Sequence, residues 1–297
     1  MERQYFNRSA LLFFILFGLV CLLLAPYLAK KLFRDGVVKE MEDEQARAEK
    51  AEEWLREDPA DTASTPGGKK IVWKWQDFDG GLHKISFEVN ETSLAEVTRL
   101  REEMDFDGSN ISGLYSNLHQ NSKGIMKPMI EAMKDEIKKS GFASDEVYMK
   151  SLEMVASAVQ YIPYTLVIDN SGRCPCEMPF GSFSSDCQVQ DNGRGCCAGI
   201  IPFGVYAPAE FMNHKKGDCD TRSLFAYLLL KDMGFDVAVM ISMQKGHSVL
   251  GVHLSNKTYP DYGSSPGGKK YYLWELTAKD MPLGRGVDGS DWKSALN

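Results

Sequence analysis

Residues 217–278 constrain the fold more than any other stretch. Gly217-Asp218-Cys219-Asp220 opens a run in which Ser223, Ala226, Leu230 and Met233 recur at helical spacing, and Gly234 closes it. Three short apolar runs follow: DVAVMIS, then HSVLGVHL after Gly246, then YYLWELTA after a turn rich in Lys, Pro and Gly. Apolar runs of that length between turn residues read as strands. One helix followed by consecutive strands predicts an α+β fold in which the cysteine-bearing helix packs on an antiparallel sheet.

Upstream, IVWKWQD and LHKISFEV alternate apolar and polar residues around Asp79-Gly80-Gly81, which predicts a hairpin. Ser93-Leu94-Ala95-Glu96 fits a capping box, starting a helix that runs to about Met104. A polar Gly/Asn stretch (107–124) leads to a second helix ending near Ser140-Gly141. Ser144 is expected to cap a third, which carries Val147, Leu152, Val155 and Val159 and stops at Pro163. Hairpin and helices make up 71–145, and the domain holding the cysteine helix makes up 146–297.

The N-terminal part reads differently. After a flank (1–8), residues Ser9 to Ala29 form a 21-residue stretch without a charge. Roughly 20 apolar residues at 1.5 Å rise cross a bilayer core, so 9–29 is expected to be a retained transmembrane helix rather than a cleaved signal peptide. Arg3 and Arg8 before it nearly balance Lys30, Lys31 and Arg34 after it, so flanking charge hardly orients it. Good helix formers over 37–57 predict a helical stalk over 30–57, through which copies of the chain could associate, and 58–70 is a linker rich in Pro, Gly, Ser and Thr.

Composition excludes several classes. With 43% hydrophobic and 25% charged residues the chain is neither collagen-like, disordered nor multi-spanning. The 34 Lys+Arg against 41 Asp+Glu, with no basic block, argue against nucleic acid as a partner.

Cys174, Cys176, Cys187, Cys196 and Cys197 crowd into a loop over 170–200 made of Gly, Ser, Asp and Asn. So little apolar content calls for cross-links, and disulfides are expected. A metal site is the rival, but the paired CxxC knuckles of zinc sites are missing, so neither metal nor cofactor is expected. Disulfides imply an extracytoplasmic, periplasmic domain on a single-pass membrane protein.

Cys219, in the first turn of its helix, faces unpaired N–H groups and the positive end of the helix dipole. Its thiol should therefore ionise below a reference of about 8.5. Asp218 suits the cap position. A cysteine on a helix, a histidine such as His247 at the start of one strand and an acid such as Glu275 on the next is a familiar way to build a thiol nucleophile, its base and an orienting acid. His253 shares a strand face with His247 but sits about 20 Å further along. His83 on the hairpin and His119 in a polar stretch are expected to be solvated or structural, and His214 to lie at the surface. The backbone N–H of Cys219 is the first oxyanion donor, with Tyr206 or Gln160 as candidates for a second.

The segment KGDCDTRSLFAYLLLKDMGFDVAVM resembles the nucleophile segment of transglutaminase-like proteins. GHSVLGVHL is similar to their histidine strand, YYLWELTA to their acid strand, and VQYIPY and YAPAEF to the approach to the cysteine helix. The likeness implies a papain/transglutaminase-like core of the membrane-anchored bacterial type, with Cys219 as nucleophile, His247 as base and Glu275 as acid. Ser248 stands where an aromatic residue is usual, and Glu275 where Asp is common. The implied chemistry is thiol acyl transfer on a peptide or protein substrate, by a cysteine protease or an amidase acting on peptide or cell-envelope amides. The alternative from another class is a silent binding or assembly module.

Overall fold

The computed structural model describes residues 49, 51, 53–55, 64–65, 67–106, 108–168, 197–255, 262–264, 268–287 and 291–297. The chain divides into two compact units, Met1–Arg56 and Glu57–Asn297. In the first, the described residues are helical.

The second unit opens with β1 (Ser64–Thr65), β2 (Gly68–Gln76) and β3 (Leu82–Asn90), an antiparallel sheet with Trp73 opposite Ile85 and Trp75 opposite His83. The expected hairpin turn forms because Asp77 Oδ1 accepts the N–H groups of Asp79 (3.0 Å) and Gly81 (2.6 Å). Strict alternation turns Ile85, Phe87 and Val89 inward.

Helix α1 (Glu91–Glu102) begins earlier than the expected Ser93 cap. The Asn90 side chain accepts from the Ser93 N–H at 2.9 Å and takes the cap role itself. The polar stretch 107–124 holds a helix of its own, α2 (Ile111–Lys123), capped by Asn110. Its buried side chains, Leu114, Tyr115, Leu118, His119 and Ser122, keep helical spacing beneath a polar surface. After α3 (Lys127–Lys139) comes α4 (Val147–Gln160), without the side-chain cap expected from Ser144.

A parallel pair, β4 (Leu166–Ile168) and β5 (Cys197–Ile200), precedes α5 (Pro208–His214) and the cysteine helix α6 (Cys219–Asp232). The remaining strands are β6 (Val237–Ser242), β7 (His247–Val252), β8 (Tyr262–Ser264), β9 (Lys270–Trp274) and β10 (Lys293–Leu296). They close into a barrel in the order β10-β6-β7-β9-β8, antiparallel except where β10 meets β8. Helix α6 packs against β6 and β7, giving an α+β fold.

Segments 71–145 and 146–297 share one core. The Trp73 ring lies 5.4 Å from and nearly parallel to Phe225 of α6, and its Nε1 donates to the Ala158 carbonyl of α4 at 3.0 Å. An aromatic pair of this kind adds about 0.5–1.5 kcal/mol beyond its burial, and it fixes the hairpin to the cysteine helix.

Two expectations need correction or fall outside these residues. No helix among the described residues is long and apolar enough to cross a membrane. The longest have 14 residues, against roughly 20 needed to span. The expected transmembrane helix, and with it the expected single-pass localisation with an extracytoplasmic domain, is therefore not supported by the described residues. The segment that suggested the span, 9–29, lies outside the described residues, as does most of the expected stalk. The side chains of Cys174, Cys176, Cys187, Cys196 and Cys197 also lie outside them, and with them the expected disulfides.

Candidate active site

The cysteine helix starts where its sequence predicts. Asp218 is extended (φ −96°, ψ −162°), and its Oδ1 accepts the Thr221 N–H at 3.4 Å while Oδ2 accepts the Val167 N–H at 3.3 Å. Gly217 is required for this entry, since a Cβ there would lie 2.6 Å from Thr221 Cγ2 and 2.8 Å from Phe211 Cδ2. Cys219 therefore occupies the first helical position, buried.

The sheet carries the other two groups to the same end. Ser242 pairs with His247 across the β6–β7 turn, so His247 opens β7. Trp274 pairs with Leu250. Continuing that register by one sets Glu275 across from Val249 and diagonal to His247 on the same face. His247 Nε2 and Glu275 Oε2 are 2.7 Å apart. The other carboxylate oxygen accepts from Thr277 N (2.8 Å) and Thr277 Oγ1 (2.6 Å), which fixes the carboxylate plane.

Burial pulls His247 down, but the hydrogen bond and charge of Glu275, with the charges of Asp220 and Asp218, raise it above the usual imidazole value. Burial likewise pushes Glu275 up, and the bond and charge of His247, with the Thr277 bonds, hold it below the usual carboxylate range. Each partner favours the charged form of the other. Nδ1 of His247 makes no hydrogen bond among the described residues and is the nitrogen left for proton transfer.

The thiol contradicts the expectation of early ionisation. Burial pushes Cys219 well above an ordinary thiol, and Asp220, Asp218 and Glu275 add to this by their charge. The Ser248 backbone N–H opposes it by favouring negative charge on sulfur. The helix dipole is thus outweighed by desolvation and three carboxylates. Asp218 is itself pushed up to about 7 by burial and by Asp220. Among the described residues no hydrogen bond joins Cys219 to His247; the contact on sulfur comes from Ser248, the next residue along β7.

The structure gives the remaining candidates other work. Gln160 Nε2 donates to the carbonyls of Glu275 (2.8 Å) and Met281 (2.7 Å), and its Oε1 accepts from Met281 N (3.1 Å). Gln160 therefore braces Glu275 from behind rather than facing an oxyanion. Tyr206 donates its backbone N–H to Thr221 Oγ1 at 3.1 Å, and its ring lies 4.2 Å from that of His214. His214 is not the expected surface residue, and burial depresses it to about 4. His119 is buried on α2 with its ring edge-on to Tyr227. His83 is held between Asp77 (2.9 Å) and Glu136 (3.1 Å). His253 bonds the Lys270 carbonyl, away from the site.

Sequence reasoning missed three participants. Asp220 Oδ1 accepts the Tyr115 hydroxyl at 2.7 Å and the Ser248 hydroxyl. These bonds join β7 to α2 through the residue beside the thiol. The three-and-four spacing of Ile111, Leu114, Tyr115 and Leu118 carried the missing signal. The third is Arg222, a charge three residues after Cys219 on an otherwise apolar helix face.

Among the described residues no group of three or more His, Cys, Asp or Glu side chains could hold a metal ion. No family model, curated protein or solved structure matches the chain.

Proposed function

We propose that the protein is a thiol acyl-transfer enzyme, a hydrolase of peptide or protein amides in which Cys219 is the nucleophile, His247 the base and Glu275 the orienting acid. The observation that carries this reading is the 2.7 Å His247–Glu275 contact beside a helix-opening cysteine. The resemblance of the three segments to transglutaminase-like proteins supports it.

The high-lying thiol specifies how the reaction starts. The sulfur stays protonated until a carbonyl arrives, and His247 Nδ1 removes the proton as the C–S bond forms. The C–N bond then breaks, and the amine leaves with the proton that His247 returns. Water, deprotonated by the same imidazole, cleaves the thioester to a carboxylic acid and restores the thiol. The Cys219 backbone N–H, at the helix start, is the nearest donor for the carbonyl oxygen.

Acylation of Cys219 by a p-nitrophenyl ester, followed by release of nitrophenolate against pH, tests this. The wild type should show an inflection above 6.5 from His247, and His247→Ala should lose that inflection and about 10²–10⁴ of the rate. Equal rates in both proteins would refute the enzymatic reading. One observation favours a second reading, a silent binding module: three carboxylates around a buried thiol disfavour its ionisation. Equal, slow acylation with retained folding would select it.

A further inference from the structure

Arg222 is fully buried, three residues after Cys219. Its guanidinium donates to four backbone carbonyls: Gly217 (2.9 Å), Val159 (3.3 Å), Leu276 (3.1 Å) and Ile162 (2.7 Å). Its remaining close partner is the Tyr164 ring, 5.5 Å away. Among the described residues, no carboxylate bonds it. A buried cation satisfied only by neutral groups is costly, because hydrogen bonds do not cancel its charge.

The chain places the opposite charge close by without direct bonds. Burial lowers Arg222 to about 10, and the charges of Tyr164, Asp218, Glu275 and Cys219 oppose this by favouring the charged guanidinium. Around the sulfur itself stand Asp218 at the helix cap, Asp220 from α6, Glu275 after β9, the Ser248 backbone N–H from β7, and the hydroxyls of Tyr164 and of Tyr115 from α2. Three carboxylates would otherwise oppose every step that puts negative charge on sulfur. The four carbonyls also belong to the parts that must hold register: the end of α4, the residue before the Asp218 cap, and the residue after Glu275.

We infer that Arg222 is a positioning residue of the thiol site, a buried positive charge that offsets the surrounding carboxylates and ties the Cys219 helix to the Glu275 strand end. The bland alternative makes it a cap on the last carbonyls of α4. A cap needs the hydrogen bonds but not the charge. The inference rests on reading Cys219 as the nucleophile, and it is tested by a property that does not require turnover.

Iodoacetamide alkylation of Cys219, followed by mass spectrometry across pH, gives the thiol's midpoint directly. Arg222→Met should move that midpoint up by about one unit, which is about tenfold slower alkylation at neutral pH. Arg222→Lys keeps the charge while losing most of the bonds, and should return the midpoint to within a few tenths of the wild type. A folded Arg222→Met protein with the wild-type midpoint would overturn the proposal. So would a folded lysine variant that behaves like methionine, or failure of both variants to fold, which would leave Arg222 a structural brace. Failure here with a normal His247→Ala effect on ester acylation removes only the role of Arg222. Loss of the His247 effect with an intact Arg222 shift removes only the enzymatic reading.

Discussion

Glu275 holds His247 through one carboxylate oxygen, 2.7 Å from Nε2, while Thr277 holds the other oxygen with two bonds. The carboxylate is therefore anchored independently of the imidazole and sets its orientation. Glu275→Gln keeps the shape and an acceptor but removes the charge that stabilises an imidazolium. Ester acylation by this variant should fall by about 10²-fold or more, with the His247 inflection displaced to lower pH. Thr277→Ala, which loosens the anchor without removing charge, should cost much less. Stopped-flow rates that rank the two variants the other way would show that orientation outweighs charge.

The same pair sets a stability window. Glu275 is depressed below 4.5, so its contribution is present above that value and is lost as pH falls through the folded value. His247 is raised above 6.5, so its contribution is full below 6.5 and fades as pH rises through the folded value. The melting-temperature difference between wild type and Glu275→Gln should thus be greatest between pH 4.5 and 6.5 and shrink on both sides. Taking the difference cancels the separate titration of His214. A difference that stays flat from pH 3 to 9 would count against a charged pair.

How much of this was legible in the sequence depended on whether an element's pattern was local. The hairpin and α6 were read correctly because alternation, turn residues and the Asp218 cap lie within a few neighbours of one another. Helix α2 was missed because Asn, Ser and Gly dominate its outer face, and the buried stripe from Leu114 to Ser122 is visible only when that face is ignored. The elevated thiol was illegible for another reason. Helix position predicted ionisation, whereas the outcome is set first by burial, which exists only once the fold closes over the thiol; the charges of the sequence neighbours Asp220 and Asp218 add to it, and Glu275, 56 residues away in the chain, adds less. Gln160 reads as an oxyanion candidate in the sequence because its actual partners, the carbonyls of Glu275 and Met281, lie 115 and 121 residues away.

Asp220 links the hydroxyls of Tyr115 and Ser248 and raises the neighbouring thiol by its charge. Asp220→Asn retains an oxygen for both hydroxyls and removes the charge. Iodoacetamide alkylation of Cys219 in this variant should show a midpoint lower by about one unit. Ser248→Ala leaves the carboxylate in place and should keep the thiol high. If Asn at 220 leaves the midpoint unmoved, the thiol is governed by burial alone.

Arg101 and Glu210 form a buried bidentate pair, with Nε–Oε2 at 2.7 Å and Nη2–Oε1 at 2.9 Å, and Glu210 Oε2 also accepts the Ala207 N–H at 2.8 Å. The pair joins α1 to α5, the helix that leads into the cysteine segment. Removing either partner strands the other charge in the core, so Arg101→Met and Glu210→Leu should each cost about 3–5 kcal/mol. Together the substitutions replace two charges with apolar volume, and the double variant should lose clearly less than the sum of the single losses. Urea unfolding midpoints at pH 7 measure this directly. Additive losses would mean that each residue acts through its packing and backbone bonds, with no coupling between the charges.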